Sequence, residues 1–255
     1  MSVEGRTALV TGAGNGLGRA IAGRLAGAGA RVILVGRVRE KLDVVAAEVT
    51  GAGGSARVAP ADVSRPDAVT GLARLLTGET ISILINNAGV AGPVRPLVEV
   101  TPDEWDEVFA ANVRSMYLMC RAFLPPMIGR GGGDMINIAS VSGKRPLANR
   151  TPYTASKMAV IGLTTTLAHE VGPLGVCVNS LSPGPVEGER MERNFRLEAE
   201  RSGITIEEAR AAFVGRAALG RMVSEHEVAD AVLAMLAMPG LCAADIDLSA
   251  GMVGR

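Results

Sequence analysis

Tyr153 and Lys157 stand four residues apart in the stretch TPYTASKMAV, and both are scarce types here: the chain holds two tyrosines, and three lysines against 23 arginines. The i, i+4 spacing places them on one face of a helix. A phenol with an ordinary pKa near ~10 is a poor base at neutral pH. An ammonium about 4 Å away, at an effective dielectric of about 20, favours phenolate by roughly 4 kcal/mol, or about three pKa units. Such a pair can move a proton near neutral pH. The compact charge of a lysine can also reach a second oxygen nearby, where the fork of an arginine is no substitute, so an arginine-rich chain has reason to keep Lys157. Ser140, thirteen residues before Tyr153, has a hydroxyl that can donate to an oxygen on which negative charge develops. For Ser140 taken alone, a cap at the end of a strand is the simpler reading.

Short apolar runs alternate with longer amphipathic ones. The segments 7–11, 31–35, 56–59, 81–86, 135–140, 176–182 and 245–248 read as strands, β-branched and apolar nearly throughout, as in a parallel sheet covered on both faces. The segments 16–28, 39–52, 66–76, 102–127, 152–172 and 224–238 read as helices, the last opened by a capping box of Ser224 and Glu227. This alternation predicts an α/β fold: one doubly wound, Rossmann-type parallel sheet of about seven strands with helices on both faces, in a single domain over 1–255. One stretch breaks the rhythm. Residues 186–216 carry seven Glu and six Arg, with Met191, Phe195, Ala209 and Phe213 at helical spacing. They read as two short helices forming a lid, or as a solvated excursion that touches no ligand.

The first predicted strand runs into Thr11-Gly12-Ala13-Gly14-Asn15-Gly16-Leu17-Gly18 and then a helix. Glycines there allow a tight turn and close approach to a pyrophosphate, which the helix N-terminus attracts. The site would therefore hold a dinucleotide, and the positive ring of an oxidised nicotinamide would further favour the Tyr153 phenolate. Where an NAD site usually has a carboxylate for the ribose, after the second strand, this chain has Gly36-Arg37, with Arg39 beyond. A guanidinium can pair with a 2′-phosphate, which favours NADP over NAD. If Arg37 merely lies over the adenine, NAD fits as well.

Zero formal net charge and a pI near 6.8 give no reason to expect nucleic acid or an anionic membrane as partner. No run approaches the length of a membrane span, and MSVEGRTALV lacks the apolar core of a secretory signal. Cys120, Cys177 and Cys242 are far apart in sequence and odd in number, which suggests reduced thiols in the cytoplasm, each a small buried hydrophobe. The two histidines are isolated from them, so no metal site is expected.

With these residues in register, the chain resembles the short-chain dehydrogenase/reductase family, in its compact branch, over essentially its whole length. The family's T-G-x-x-x-G-x-G is Thr11 to Gly18, its N-N-A-G is Asn86-Asn87-Ala88-Gly89, its Y-x-x-x-K is Tyr153 to Lys157 and its P-G is Pro183-Gly184. Asp62-Val63 resembles the pair that contacts adenine, and Asn112 the helix asparagine that holds a proton-relay water. The resemblance implies an NAD(P)-dependent oxidoreductase interconverting a small-molecule secondary alcohol and ketone. Ser140 and Tyr153 would hold the oxygen, Tyr153 would transfer the proton, Lys157 would bias it and grip the ribose, and Asn112 would help return the proton. It also implies a homo-oligomer, dimer or tetramer, joined through helices near 102–127 and 152–172. A binding protein of the same fold without catalysis would have no use for this full set.

Two departures stand out. Gly188 falls where the family often has a threonine against the nicotinamide carboxamide, leaving that contact to backbone or to a residue such as Val186. The ending DLSAGMVGR replaces an acidic-Gly-Gly pattern. Substrate determinants are expected in 90–96, 141–150 and 186–216. There Lys144, Arg145 and Arg150 would suit an acidic substrate, and Met191, Phe195 and Phe213 an apolar one.

Overall fold

The computed structural model describes residues 2–253, Arg190 by its backbone alone; Gly254 and Arg255, closing the DLSAGMVGR segment, lie outside the described residues. Seven strands form one wholly parallel sheet: β1 (Thr7–Thr11), β2 (Arg31–Gly36), β3 (Ser55–Pro60), β4 (Ile81–Asn86), β5 (Gly133–Ile138), β6 (Val176–Pro183) and β7 (Asp245–Leu248). Their spatial order is β3-β2-β1-β4-β5-β6-β7. The chain winds outward from β1 and then returns to β4 on its other side, so a crevice opens where β1 and β4 part.

The continuous apolar runs follow from two covered faces. In β2, Val32 and Leu34 pack toward α1 (Gly16–Gly27), α2 (Arg39–Gly51) and α9 (Glu225–Leu236), among Ile21, Leu25, Val45 and Val232. The alternate residues Ile33 and Val35 join Leu9, Leu84 and Met135 against α3 (Pro66–Leu75), α5 (Ser115–Gly129) and α6 (Thr151–Val171). The inner strands thus serve two cores and have no solvent face, whereas the edge strands β3 and β7 are only partly covered. The expected strand boundaries hold to within two residues, and the Ser224–Glu227 capping box is formed. Thr101–Glu104 and Thr205–Glu208 make two more, at α4 (Pro102–Phe109) and α8 (Ile206–Val214).

One expected helix is not continuous. Between α4 and α5 the backbone widens into a π-helical turn, Ala110–Arg114. Such a turn places an extra residue in the winding and re-aims its side chains, and the residue it carries here is Asn112. The segment after β6 does form two helices, α7 (Glu189–Ser202) and α8.

At the end of the sheet away from the crevice, Arg31 and Arg57 converge on Glu79, which precedes β4. The Arg31 hydrogen bond leads, and with Arg57 it draws the Glu79 carboxyl from 4.5 down to about 2. A depressed acid stabilises the fold above its ordinary pKa and loses that contribution as pH falls toward the folded value. The two arginines are about one-third exposed, so solvent screening keeps the effect modest. Glu79→Gln is expected to lower stability by about 1 kcal/mol at pH 7. The gap to wild type should close between pH 4.5 and about 2 in denaturant titrations. A gap that stays constant across that window would refute the assignment.

Candidate active site

The crevice is held by close backbone contacts. Gly12 has φ +66°, and a Cβ there would lie 2.9 Å from Asn87 Nδ2. At Gly18 a Cβ would come within 2.1 Å of the Gly12 carbonyl oxygen, so only glycine lets α1 press so closely on the loop. Thr11 Oγ1 accepts from the Asn87 and Ala88 amides, each at 3.0 Å, and Asn87 Nδ2 donates to the Thr11 carbonyl at 2.9 Å. Those bonds lock the ends of β1 and β4 at the switch point. Gly16 opens α1 at φ +53°, and Leu17 packs against the α1–α9 core.

A cavity of about 240 Å³ lies over this loop. Gly12, Gly14, Asn15, Arg37, Asp62, Val63, Ala88 and Gly89, all expected from sequence, line it. Asn87, Gly16, Leu17, Gly18, Pro183, Gly184 and Val186 are not among its walls. Sequence reasoning missed Lys41 and Ser64. Lys41 is another of the three lysines, one helical turn after Arg37, and that spacing was its available signal. Burial raises the Asp62 carboxyl, but the Ser64 hydroxyl and amide, followed by Arg37 and Arg65, outweigh it and hold Asp62 below its ordinary value. The cradle, the anionic Asp62 and the two flanking cations fit an adenine dinucleotide.

Beyond Gly89 the remaining residues gather. Ser140 lies two residues past β5, where it caps a short 3-10 turn, Val141–Gly143, its Oγ accepting from the Ser142 amide at 3.1 Å. The cap uses an acceptor and leaves the O–H as a donor, so the two readings of Ser140 are compatible. A Cβ on Gly143 would meet the Lys157–Met158 backbone at 3.0 Å, so this turn rests directly on α6. Lys157 is only 6% exposed; its Nζ donates to the Ile138 carbonyl at 2.8 Å and lies 5.8 Å from the Tyr153 ring centre.

Asn112 is fully buried. Its Oδ1 accepts from the Val90 amide at 2.7 Å, and its Nδ2 donates to the Val90 carbonyl at 3.0 Å and to Ser156 Oγ at 2.9 Å. Ser156 Oγ in turn donates to the Tyr153 carbonyl at 2.7 Å. A Cβ on Gly89 would stand 2.8 Å from Asn112 Oδ1 and 3.9 Å from Lys157 Nζ, so Asn112, Lys157 and the cavity wall meet at that glycine.

The expected substrate determinants are rearranged. Lys144 is not available to a ligand: its Nζ sits between Asp247 and Asp245, 2.5 Å from the latter. Arg150 donates to Asn194 Oδ1 at 2.6 Å, tying the loop after β5 to α7. Arg145 makes no ion pair among the described residues, and burial, then repulsion from Arg216, hold its guanidinium below the ordinary value. Met191 and Phe195 are buried with Met222 in a small core inside the α7–α8 excursion, Phe195 edge-on to Phe213 at 5.7 Å, so they pack against one another. The Val186 side chain is buried in the α1–α9 core, and its backbone forms an isolated parallel bridge with Val223. A Cβ on Gly184 would meet Ser249 Cα at 2.8 Å. Cys120 is buried, whereas Cys177 is half-buried and Cys242 exposed, so the buried-hydrophobe expectation holds for Cys120 alone.

A parallel sheet of this order, with a glycine cradle at its switch point and a Ser-Tyr-Lys group beside it, defines a dinucleotide-dependent oxidoreductase. Residues 6–200 match the family described as short chain dehydrogenase, and the chain belongs to that family as an NAD(P)-dependent oxidoreductase. It is 36% identical over 207 residues to the D-beta-hydroxybutyrate dehydrogenase of Rhizobium meliloti, covering 80% of each chain. It is 38% identical to the D-threitol dehydrogenase of Mycolicibacterium smegmatis, covering 71% of this chain and 70% of that one. Among solved structures, an actinorhodin polyketide ketoreductase variant with NADPH superposes with a TM-score of 0.91 at 31% identity, over 97% of each chain. An NAD+-bound xylitol dehydrogenase superposes with a TM-score of 0.92 at 29% identity, over 98% of this chain and 100% of that one. Among the described residues no helix is long and apolar enough to cross a membrane.

Proposed function

We propose that this protein interconverts a secondary alcohol and a ketone, with Tyr153 as general acid and base and NADP(H) as the preferred dinucleotide. The observation that carries the reading is the buried Lys157 ammonium, anchored by the Ile138 carbonyl beneath the Tyr153 ring, next to Gly89 of the dinucleotide cavity. A nicotinamide dinucleotide held over the Gly12–Gly14 loop, with Arg37 and Asp62 at its adenine end, would supply hydride to the carbonyl carbon or accept it in reverse. Ser140, whose cap leaves its O–H to donate, and the Tyr153 hydroxyl hold the substrate oxygen. Tyr153 gives up its proton as negative charge grows there, and the Lys157 charge stabilises the phenolate left behind. Asn112, set beside Lys157 at Gly89, keeps Val90 and α6 in place and helps return the proton through water. Substrate enters between the loop 141–150 and α7–α8, where Arg145 is a cation that forms no ion pair among the described residues.

NADP preference is supported by Arg37 and Lys41 standing together at the cavity edge, where a 2′-phosphate would meet both. A homo-oligomer, dimer or tetramer, joined through α5 and α6 is supported by Tyr117 and Met158, which expose 49% and 51% of their surface on those helices.

Tyr153→Phe is expected to lower kcat by about a thousandfold while NADPH affinity, followed by fluorescence titration, stays within about threefold. Retained turnover in that variant would reject the mechanism. Arg37→Ala should raise KM for NADPH about tenfold and leave KM for NADH nearly unchanged, which steady-state kinetics on a panel of ketones, keto acids and their methyl esters would read. A wild-type preference for NADH would overturn the cofactor reading. Light scattering should give a dimer or tetramer mass for wild type and a smaller one for Tyr117→Glu; a monomeric wild type would sink the oligomer.

A further inference from the structure

Two of the three thiols take no part in this chemistry, yet the fold brings them together. Cys177 is the second residue of β6, and Cys242 lies in the turn between α9 and β7. In the β6–β7 ladder Ser180 stands opposite Asp245, and carrying that register back three residues sets Cys242 opposite Cys177. Hydrogen bonds extend the pairing in that direction: the Ser180 amide donates to the Ala244 carbonyl at 2.8 Å, and the Ala243 amide to the Val178 carbonyl at 2.9 Å.

The turn is also clamped on both sides of Cys242. Asn179 Nδ2 donates to the Leu241 carbonyl at 2.8 Å, and Asn179 Oδ1 accepts from the Ala244 amide at 3.0 Å. Strand alternation puts Cys177 on the same face of β6 as Asn179. Ala243, in the left-handed region at φ 59°, turns the chain between Cys242 and β7. Cys242 Sγ lies 4.0 Å from where a Cβ on Gly172 would be, just ahead of the start of β6. The Cys177 thiol is raised by burial first, then by the neighbouring Cys242 and by Asp134.

We propose that Cys177 and Cys242 are an oxidisable dithiol that closes into a disulfide and staples the short edge strand β7 to β6. With hydrogen peroxide as oxidant, the exposed Cys242 attacks as thiolate, breaks the O–O bond and becomes a sulfenic acid, releasing water once the departing oxygen is protonated. Cys177, as thiolate, then attacks that sulfur, forming the S–S bond and expelling the oxygen as a second water. Overall, two thiols and one peroxide give one disulfide and two waters. Cys120 stays out of this exchange: it is buried, and burial pushes its thiol up to about 12.

The staple matters because β7 leads into the turn that supports the base of the α7–α8 excursion. The Leu219 amide donates to the Ala250 carbonyl at 3.0 Å, and Gly184 packs on Ser249. Both thiols lie at the end of the sheet away from Tyr153, so oxidation should change persistence and leave turnover alone.

Trypsin would release Cys177 within 158–190 and Cys242 within 222–255. After peroxide treatment of the full chain, intact mass should fall by about 2 Da and a cross-linked pair of these peptides should appear, absent in Cys242→Ser and in Cys177→Ser. The thermal midpoint should rise by about 5 °C in the oxidised protein, reversibly with a reducing thiol, and kcat should not change. A mass gain from sulfenic or sulfinic acid on Cys242 alone, a Cys242–Cys242 link between chains, or a disulfide without a thermal shift would each overturn the proposal. The mass readout needs no turnover and is therefore independent of the proposed reaction.

Discussion

A buried ammonium is the constraint around which the crevice is arranged. Lys157 has almost no solvent, and an isolated ion in that position would lose its charge. The Ile138 carbonyl at the end of β5 gives it a partner, and reaching that carbonyl requires α6 to lie directly on the end of the sheet. Gly143 permits the approach from one side and Gly89 from the other, since a Cβ at either would collide with backbone or with Asn112. The π-helical turn follows from the same demand: it sets Asn112 where one amide bonds Val90 on one side and Ser156 on the other. A regular helix through 110–114 would aim that side chain differently.

The dinucleotide half obeys a backbone constraint instead. Thr11, Asn87 and the packing of Gly18 on Gly12 join β1, β4 and α1 through the protein's own hydrogen bonds and packing. Preorganisation of this kind reduces the ordering that binding would otherwise cost. The charges at the far edge divide in two. Asp62 is held ionised by Ser64 and nearby arginines, while Arg37 and Lys41 remain exposed at the rim.

Around the loop after β5 and the α7–α8 excursion the side chains largely satisfy one another. Lys144 is taken by two carboxylates of β7, Arg150 by Asn194, and the apolar residues of α7 and α8 by their own small core. Basic residues and aromatic residues that look equally suited to gripping a substrate when read along the chain are therefore mostly structural. Arg145, five residues after Ser140, and Arg216, just past α8, are like charges close enough to repel, though Arg216 also lies over the Phe213 ring and near Glu198.

The sequence by itself determined the element order and the two-faced sheet, and it named most of the residues of the candidate site. Apolar runs without alternation require cover on both sides, and a glycine loop between the first strand and first helix has few uses other than cradling phosphate. Tyr153 and Lys157 were legible because one helical turn relates them, and local spacing survives translation into structure. What only the tertiary structure decided depends on chain segments far apart in sequence. The π turn under Asn112, the loss of Lys144 to Asp245 and Asp247, the inward packing of Met191 and Phe195, and the meeting of Cys177 with Cys242 all have partners on other elements. Which partner a side chain finds is set by how strands and helices stack, and no local pattern along the chain encodes that distance.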